Sequence, residues 1–499
     1  MPKKSAAKNL KPGAVQQPLK PQAAGSQSFG SVAFSSNRAT IYGQPADFSV
    51  DYQPTDRLEM MKRIRYGERN YGLVRQVFND YVLYCIGDGI TPQSGAAEAD
   101  IGAAYEAWFK AWAANASTCG RFSFYDIQRI TLRGALRDGD CFVILAIDEG
   151  RPKLQVVEGH RVGNPIGKPA PAGMVDGVQF DSKGRLVGYN ILQGDNSSAF
   201  YPAASVCHIA EMDWASGSRG LPILQHSWGD IQTEDELLRL EMLAVRNDSD
   251  VTRVLHKNGG FIPQDMKAEL EGSGSANLES VASKMGGKLL ALEPGESLTS
   301  LASNRPSPVF AGFLKSVQAD ILRGTLPYEF VGDPSGISGS GMRLTTAKAD
   351  RVFSRWQSVA IDKLCQKVWG FVIGWAVANG ELPEGDWANV SWTTPKRLTV
   401  DAGREAANDR ADVELGLLSM SELYAQRGLD MRAEMVKRAK DFKFIFELAK
   451  QEGIPTWTLY KPGFNWLQEG EGKPTAAEVA MQGIEPAQPT DQPTDQPTE

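Results

Sequence analysis

Few side chains in this sequence have the spacing that catalysis requires. Its four histidines are His160, His208, His226 and His256, and none belongs to the H-E-x-x-H pair that binds zinc on a helix. No G-x-S-x-G segment supplies the nucleophile of a serine hydrolase. His208 lies within an apolar strand pattern, where a histidine is usually a core residue with satisfied hydrogen bonds. The histidines therefore predict no catalytic site.

One segment comes near a phosphate-binding loop. Residues 163–169 read GNPIGKP, with three residues between the glycines where a P-loop has four. Pro169 stands where Mg²⁺ coordination needs a hydroxyl, and Pro165 lacks one of the backbone N–H groups that bind phosphate. The segment is therefore not an ATPase motif.

Carboxylates and cysteines predict no metal site. Glu234, Asp235 and Glu236 could in principle hold Mg²⁺, but beside leucines on a helix they are more typical of a solvated face. The five cysteines are widely scattered and include no C-x-x-C pair, so neither a disulfide framework nor a zinc site is indicated. We therefore expect no catalytic residues, no cofactor and no metal, and a reducing compartment such as the cytoplasm.

The composition is that of a soluble protein with weak attraction for nucleic acid. A chain of 499 residues can bury a sizeable core and holds two or three domains. Its net charge of −7 is not the basic footprint of a tight nucleic-acid binder, so contact with DNA should be weak or transient. The longest apolar run, residues 368–378, is too short to span a bilayer, which argues against a membrane protein.

Hydrophobic periodicity predicts the elements that position these side chains. Helices are predicted over residues 56–84, 101–114, 222–247, 308–323, 402–416, 420–427 and 430–451. Strands are predicted over residues 141–148, 153–158, 177–192 (a hairpin), 205–210, 251–256, 288–301 and 389–394. The longest element is a single helix over residues 343–379, which would extend about 55 Å at 1.5 Å per residue.

Two segments give further predictions: a glycine-rich segment before the longest helix, and the acidic helix over residues 222–247. Residues 332–341 read GDPSGISGSG, and their glycines together with Pro334 predict a mobile loop directly before the longest helix. The helix over residues 222–247 has an apolar stripe and a crowd of acids, which predicts a partner along one face and an acidic surface on another. The stripe consists of Leu224, Trp228, Ile231, Asp235, Leu238, Met242 and Val245.

Both ends of the chain are of low complexity. Residues 1–49 are predicted to be a disordered basic arm, since residues 1–46 contain five lysines, one arginine and no acid. Residues 456–499 are predicted to be a disordered acidic tail, which ends in the repeat AQPTDQPTDQPTE. Plain solubilising extensions are the simpler interpretation of both ends, and a docking role is the alternative.

Three segments carry specific wording in addition to the order of these elements: residues 205–232, 321–357 and 398–430. Together they resemble the lambda-type family of bacteriophage portal proteins. The resemblance implies an α+β chain with the portal fold, in which wing, stem, clip and crown surround a central channel in a ring of usually twelve subunits. The implied parts are the wing at 50–220 with its return strand at 381–400, the stem helices at 221–250 and 306–324, the clip at 251–305, the tunnel loop at 325–343, the long wing helix at 344–380 and the crown at 401–455.

The resemblance also implies a function and partners. A portal protein lies at one vertex of the virion capsid, is assembled in the bacterial cytoplasm, and lets double-stranded DNA pass during packaging and ejection. Its partners would be copies of itself, duplex DNA held transiently and without sequence specificity, the terminase large subunit, major capsid and scaffolding proteins, and head–tail adaptor proteins, with no membrane. Two other hypotheses stay open: a packaging nuclease or ATPase, and a non-catalytic coiled-coil scaffold.

Site residues carried over from the resemblance fall into three groups. The tunnel loop would present Tyr328, Phe330, Gly332, Asp333, Ser335, Gly336, Ser338, Gly339, Gly341 and Arg343 to the DNA channel, with Tyr328, Phe330 and Arg343 anchoring its base. Asp230, Glu234 and Glu241 would line the channel and repel the DNA backbone, or would instead pair with Arg239 and Arg246 of neighbouring stem helices. His256, Lys257, Lys284 and Lys288 would serve clip and motor docking.

Overall fold

A computed structural model describes residues 46–195, 197–249, 253–256, 289–292, 309–398, 402–427 and 431–454, and the single positions 400, 429 and 459. Nearly all of the predicted basic arm, acidic tail and clip lie outside these residues. The chain divides after Asp430 into two units. The described residues combine helices and strands, so the α+β class predicted from the sequence is confirmed.

The first unit begins with helices that pack into the main core. The opening elements are α1 (Phe48–Asp51), α2 (Pro54–Asn70), α3 (Gly72–Cys85), β1 (Thr91–Ser94) and α4 (Ala99–Ala113). The single helix predicted over residues 56–84 is therefore two helices. They are separated at Tyr71, whose backbone is extended at φ −113° and ψ 121°.

Helix α5 (Phe124–Asp138) has no counterpart in the sequence prediction, although clear signals mark both of its ends. The Ser123 hydroxyl accepts a hydrogen bond from the Asp126 N–H, and the Asp126 carboxylate accepts one from the Ser123 N–H, which is a capping box. The helix ends at Gly139, whose φ of +94° favours glycine. A Cβ on Gly139 would lie 2.4 Å from the Gly220 carbonyl oxygen, so two backbones cross here.

Two antiparallel sheets follow α5. Their strands are β2 (Asp140–Asp148), β3 (Arg151–Glu158), β4 (Met174–Val175), β5 (Val178–Phe180), β6 (Leu186–Leu192), β7 (Ser198–Pro202) and β8 (Val206–Ala210). The first sheet has the order β3-β2-β8 and the second the order β4-β5-β6-β7. The strands predicted at residues 141–148, 153–158 and 205–210 are confirmed, and so is the hairpin predicted over residues 177–192.

Strand β2 is buried on both of its faces, which explains its unbroken apolar run. Val143 packs into the main core with the helices, whereas Phe142 and Ile144 pack with residues of the second sheet. Side chains alternate along a strand, so one strand contributes to both cores. The central strand thus joins the helical core to the second sheet.

A helical hairpin and a long helix complete the main core of the first unit. The elements are α6 (Trp228–Ser249), β9 (Arg253–His256), β10 (Leu289–Leu292), α7 (Phe310–Leu322), α8 (Tyr328–Val331), α9 (Gly339–Ala360), α10 (Gln366–Ala378) and β11 (Val390–Thr393). The two short strands β9 and β10 pair in parallel, and β11 pairs with β1 in antiparallel register. Helix α6 begins six residues later than predicted, after a 3₁₀ turn over Gln225–Ser227.

The longest predicted element is real but has a different start and an irregular middle. Helix α9 begins four residues before the predicted position, and a π-helical turn at Ile361–Cys365 joins it to α10. Such turns form where an extra residue is accommodated in the hydrogen-bond ladder of a helix. The helical run therefore covers the predicted residues without being a single α-helix.

Helices are present at the three places predicted for them near the C-terminal end, the first two shorter than predicted and the third of the predicted length. Helices α11 (Ala402–Glu414) and α12 (Met420–Gln426) belong to the first unit. The second unit contains α13 (Met431–Glu452), whose side chains Phe442, Phe444 and Phe446 are exposed.

Candidate functional site

The predicted tunnel loop is a short structured connection between α7 and α9. After α8, one turn of 3₁₀ helix covers Pro334–Gly336. The Ser338 hydroxyl accepts a hydrogen bond from the Gly341 N–H at 3.3 Å and so caps α9. Gly339 and Gly341, expected in a loop, therefore lie in the first turn of the helix. Residues 332–338, which lie outside α-helix between α8 and α9, are called the connecting segment.

Hydrogen bonds within the connecting segment organise its only carboxylate. Asp333 accepts hydrogen bonds from the N–H of Ser335 at 2.9 Å and from its hydroxyl at 2.7 Å. These bonds lower the pKa of Asp333, with a smaller contribution from Lys315 of α7. A Cβ on Gly336 would lie 3.2 Å from the Lys315 ammonium nitrogen, so the segment lies against α7.

Aromatic side chains hold the base of the connecting segment. The Phe330 ring lies 5.5 Å from Tyr84 and 5.6 Å from Phe353, measured between ring centroids. The Tyr328 hydroxyl donates a hydrogen bond to the side-chain oxygen of Gln318 at 3.3 Å. Tyr328 and Phe330 therefore contact neighbouring helices, and Arg343 lies at an exposed position of α9.

The acids predicted to line a channel differ in their surroundings within one protomer. Glu234 is 8% exposed and accepts a hydrogen bond from the Gln318 amide of α7 at 2.7 Å. Glu241 is equally buried, and it lines a groove of about 340 Å³ with Phe310 of α7. Asp230 is exposed. Burial raises the pKa of Glu234, and partial desolvation of the Asp230 carboxylate, with nearby Asp320, raises the pKa of Asp230.

The face of α6 that packs on α7 is thus partly acidic, which corrects the predicted apolar stripe. Met242, assigned to that stripe, is 63% exposed, and its neighbours Leu240 and Leu243 are also exposed. Arg239, a candidate partner for acids of a neighbouring helix, pairs with Asp235 of its own helix at 2.9 Å. The helix therefore keeps an apolar surface outward at its second half.

A buried ion-pair cluster lies where α2, the two sheets and the segment after β8 meet. Arg219 makes a bidentate ion pair with Asp140, the first residue of β2. Its guanidinium also donates to the carbonyl oxygens of Gly159 at 2.7 Å, Val162 at 2.8 Å and Asp176 at 3.0 Å. Arg219 is 4% exposed and Asp140 is fully buried, so water does not screen this pair.

A second arginine completes the cluster. Arg57 of α2 pairs with both carboxylate oxygens of Asp176, at 2.5 Å and 3.1 Å, and is 2% exposed. Its guanidinium also reaches the carbonyl oxygens of Gly159 and Val162, each at 3.4 Å. The two arginines thus share carbonyl acceptors and tie α2 to both sheets.

The charge state of Asp140 follows from these contacts. Burial alone would raise the pKa of Asp140, but the Arg219 guanidinium outweighs it and holds the pKa well below its usual range. His208 stacks on the Phe142 ring at 4.3 Å between centroids, and its Nε2 lies 3.5 Å from Asp140. Burial lowers the pKa of His208. His208 therefore packs in the cluster as predicted, but its Nε2 makes no hydrogen bond to any described residue, so the expected satisfaction of its hydrogen bonds is not confirmed.

Metal-binding clusters and membrane-spanning helices are both missing from the described residues. In the parts of the chain that the structure describes, no group of three or more His, Cys, Asp or Glu side chains could hold a metal ion. Within the same residues, no helix combines the length and apolar character needed to cross a membrane. Among the predicted docking residues, His256 ends β9, and Lys257, Lys284 and Lys288 lie outside the described residues.

Comparison with known proteins decides the family. A family model described as phage portal protein, lambda family, matches residues 37–357. The chain belongs to this portal family. The match spans the helical and β-rich region, the helical hairpin, the connecting segment and most of α9, and it confirms the resemblance found in the sequence. No curated protein sequence matches this portal chain significantly.

Three solved structures of gene transfer agent particles contain chains similar to this portal protein, each at 15% sequence identity. The matching chain in the neck of an empty particle, computed with C6 symmetry, has a TM-score of 0.47. The match covers 75% of this chain and 94% of that chain. The native virion has a TM-score of 0.43, with 75% of this chain and 93% of that chain covered. The native neck with C12 symmetry has a TM-score of 0.44 at 75% and 94% coverage.

The ion-pair cluster of this portal protein was missed by sequence reasoning. Its members Arg57, Asp140, Asp176 and Arg219 are up to 162 positions apart, so no local motif joins them. The sequence signals were weak: Arg219 stands in the turn-rich GSRGLP, and Asp140 immediately precedes an apolar strand. A charged residue at the edge of a buried strand needs a partner, but its identity depends on tertiary structure.

Proposed function

We propose that this portal protein forms a closed ring of identical subunits, usually twelve, at one vertex of a capsid. Double-stranded DNA passes through the channel of this ring during packaging and ejection, and the chain performs no catalysis of its own. The observation that carries the proposal is the family match over residues 37–357. The ring assembles in the bacterial cytoplasm together with capsid and scaffolding proteins.

Within the ring, each part of the protomer has a proposed role. Helices α6 and α7 form the stem, and the segment between them forms the clip, where the terminase motor docks and head–tail adaptor proteins follow. His256, Lys257, Lys284 and Lys288 are the proposed docking residues. The sheets with α9 and α10 form the wing, and residues 401–455 form the crown.

The exposed apolar surface of α6 supports self-association. Leu240, Met242 and Leu243 are 55%, 63% and 54% exposed in the protomer, and Phe313 of α7 is 52% exposed. Monomeric proteins rarely expose neighbouring large apolar side chains, because their contact with water is unfavourable. A ring buries the same patch of every subunit against its neighbour, which removes these side chains from water without leaving a free end.

The connecting segment supports a contact with a moving polymer. It combines small residues and hydroxyl groups with a rigid base, because Phe330 packs against Tyr84 and Phe353. A segment of this kind can move while the aromatic residues at its base stay in place. We assign residues 332–338 to the channel wall, where they touch passing DNA.

Deleting Ser335 and Gly336 is expected to leave the ring intact and to reduce the amount of DNA retained in particles. The deletion shortens the connecting segment but keeps the aromatic base and the Ser338 cap of α9. The measurements are electron microscopy of the purified protein and the DNA content of particles produced with the variant. Particles made without the chain provide the value for complete loss of function.

A matched control removes Ser182 and Lys183, two exposed residues of the turn between β5 and β6. This control should package and retain DNA as the wild type does. Wild-type retention by the Ser335–Gly336 deletion would remove the connecting segment from the mechanism, while the ring proposal would stand. Failure of the wild-type chain to support packaging would contradict the proposed function itself.

A further inference from the structure

The exposed side of α9 concentrates positive charge. Its buried side is formed by Thr345, Thr346, Ala349, Phe353, Trp356 and Ala360. The opposite side carries four exposed basic residues, Arg343, Lys348, Arg351 and Arg355, which we call the basic face. Asp350 is the only acid of the helix, and it is half-buried beside the Leu398 N–H at 3.4 Å. In a chain of net charge −7, this helix is therefore locally basic.

Two of the four charges of the basic face, those of Lys348 and Arg351, are not balanced by an acid among the described residues. Arg355 pairs with Glu211. Lys348 and Arg351 make no ion pair with any residue that the structure describes. Lys348 and Arg351 are three positions apart, and Arg351 and Arg355 four apart, so like charges face each other along the helix and repel. An external anion would relieve this repulsion.

The chemistry of the basic face fits phosphate oxygens. The exposed residues Ser354 and Ser358 add hydroxyl groups beside its C-terminal half. Arginine, lysine and serine are among the side chains that usually contact the sugar–phosphate backbone, which fixes position without reading sequence. From residue 343 to residue 355 the helix rises about 18 Å at 1.5 Å per residue. Duplex DNA carries one charge per about 1.7 Å of its axis, so several phosphates fit along this length.

Two of the acids expected to line the channel, Glu234 and Glu241, are buried on the side of α6 that packs on α7. Asp230 and Asp333 are exposed, and the carboxylate of Asp333 accepts hydrogen bonds from Ser335. The charged groups that remain exposed next to the connecting segment include Arg343, in the first turns of the same helix that carries Lys348 and Arg351.

We propose that the basic face of α9 is the surface through which each protomer contacts the phosphate backbone of duplex DNA. This inference rests on the proposed function, since it names the DNA-contacting residues of the ring. Lys348 and Arg351 supply only two charges per protomer, so each contact is weak and DNA can still slide. The contact is independent of sequence and is weakened by salt, because binding releases the counterions of the phosphates.

The test compares the full-length double variant Lys348→Gln/Arg351→Gln with the wild type. Binding of a short random-sequence duplex is measured by fluorescence anisotropy over a series of KCl concentrations. The affinity of the variant should fall on the order of 10-fold at low salt, and the slope of log K against log salt should become shallower by about 0.9 for each phosphate that the variant no longer neutralises. The basic arm at residues 1–46 is present in every protein, so its contribution cancels.

The control is Lys183→Gln/Arg185→Gln, which removes the same charges from the exposed turn between β5 and β6. It should bind DNA with the wild-type affinity and salt slope. An unchanged slope in the α9 variant would overturn the proposal, and so would unchanged DNA binding with loss of the ring in electron microscopy, since the face would then contact a second copy of the chain. A wild-type chain that forms no ring would contradict the proposed function, whereas the anisotropy comparison decides the basic face separately.

Discussion

Replacing Arg219 with alanine is expected to destabilise the first unit by about 3–5 kcal/mol, the range for removing one partner of a buried ion pair. Asp140 would then be a fully buried carboxylate without its guanidinium partner. The carbonyl oxygens of Gly159, Val162 and Asp176 would also lose a donor. The free energy of unfolding is measured by urea denaturation followed by circular dichroism.

The pH dependence of this effect has a definite sign. The pKa of Asp140 in the folded wild type lies below its value in the unfolded chain, so the ion pair stabilises the protein fully above the unfolded value, about 3.9. This contribution is lost as the pH falls below that value. In the variant, protonation of the unpaired Asp140 removes the cost of burying a charged carboxylate. The difference in the free energy of unfolding between variant and wild type should therefore shrink on acidification.

Arg323→Ala provides the matched control for Arg219→Ala. Arg323 is 78% exposed and pairs with Asp320, three positions earlier in the same helical region. Exposed ion pairs contribute about 0–1 kcal/mol, because water and salt screen them. Equal urea midpoints for the two variants would show that the cluster is not an important source of stability.

Replacing Trp369 with alanine should have an effect of similar size. Trp369 of α10 is fully buried, with ring centroids 5.1 Å from Phe109 of α4 and 6.3 Å from Trp392 of β11. Its indole N–H donates a hydrogen bond to the Trp387 carbonyl at 2.7 Å. Truncation of a large buried aromatic side chain costs about 3–5 kcal/mol, because it leaves a cavity and removes apolar contacts.

The same substitution at an exposed position shows how much of the lost stability comes from burial of the side chain and how much from the change of residue type. Trp214 is 55% exposed and stacks on Phe48 at 5.7 Å, so Trp214→Ala should cost much less than Trp369→Ala. Urea denaturation followed by circular dichroism avoids a signal that depends on the number of tryptophans. A Trp369→Ala protein with wild-type stability would mean that α4, α10 and β11 do not share a tightly packed core.

Elements with strong periodicity were predictable from the sequence. In the apolar stripe predicted for the long helix, Phe353, Trp356, Ala360, Leu364 and Val368 are each at most 4% exposed, and Phe371 and Trp375 are half-buried. The period of 3.6 residues determined which side of the helix is buried. Strand β2 was recognisable for a different reason, since a strand covered on both faces has a continuous apolar run.

Features that depend on distant partners were not predictable. The acids of α6 look like a solvated face in sequence. Gln318 of α7, however, donates a hydrogen bond to Glu234 and makes the burial of this carboxylate possible. Gly139 and Gly220 look like ordinary turn residues, yet their backbones cross so closely that neither has room for a Cβ. The break at Tyr71 was hidden because the apolar periodicity continues across it.

The most direct test is electron microscopy of the purified full-length portal protein. We predict closed rings with a central hole, because each subunit leaves an apolar surface on α6 that a neighbouring copy would cover. Particles that remain monodisperse monomers at every concentration, including in infected cells, would contradict a ring-shaped DNA conduit.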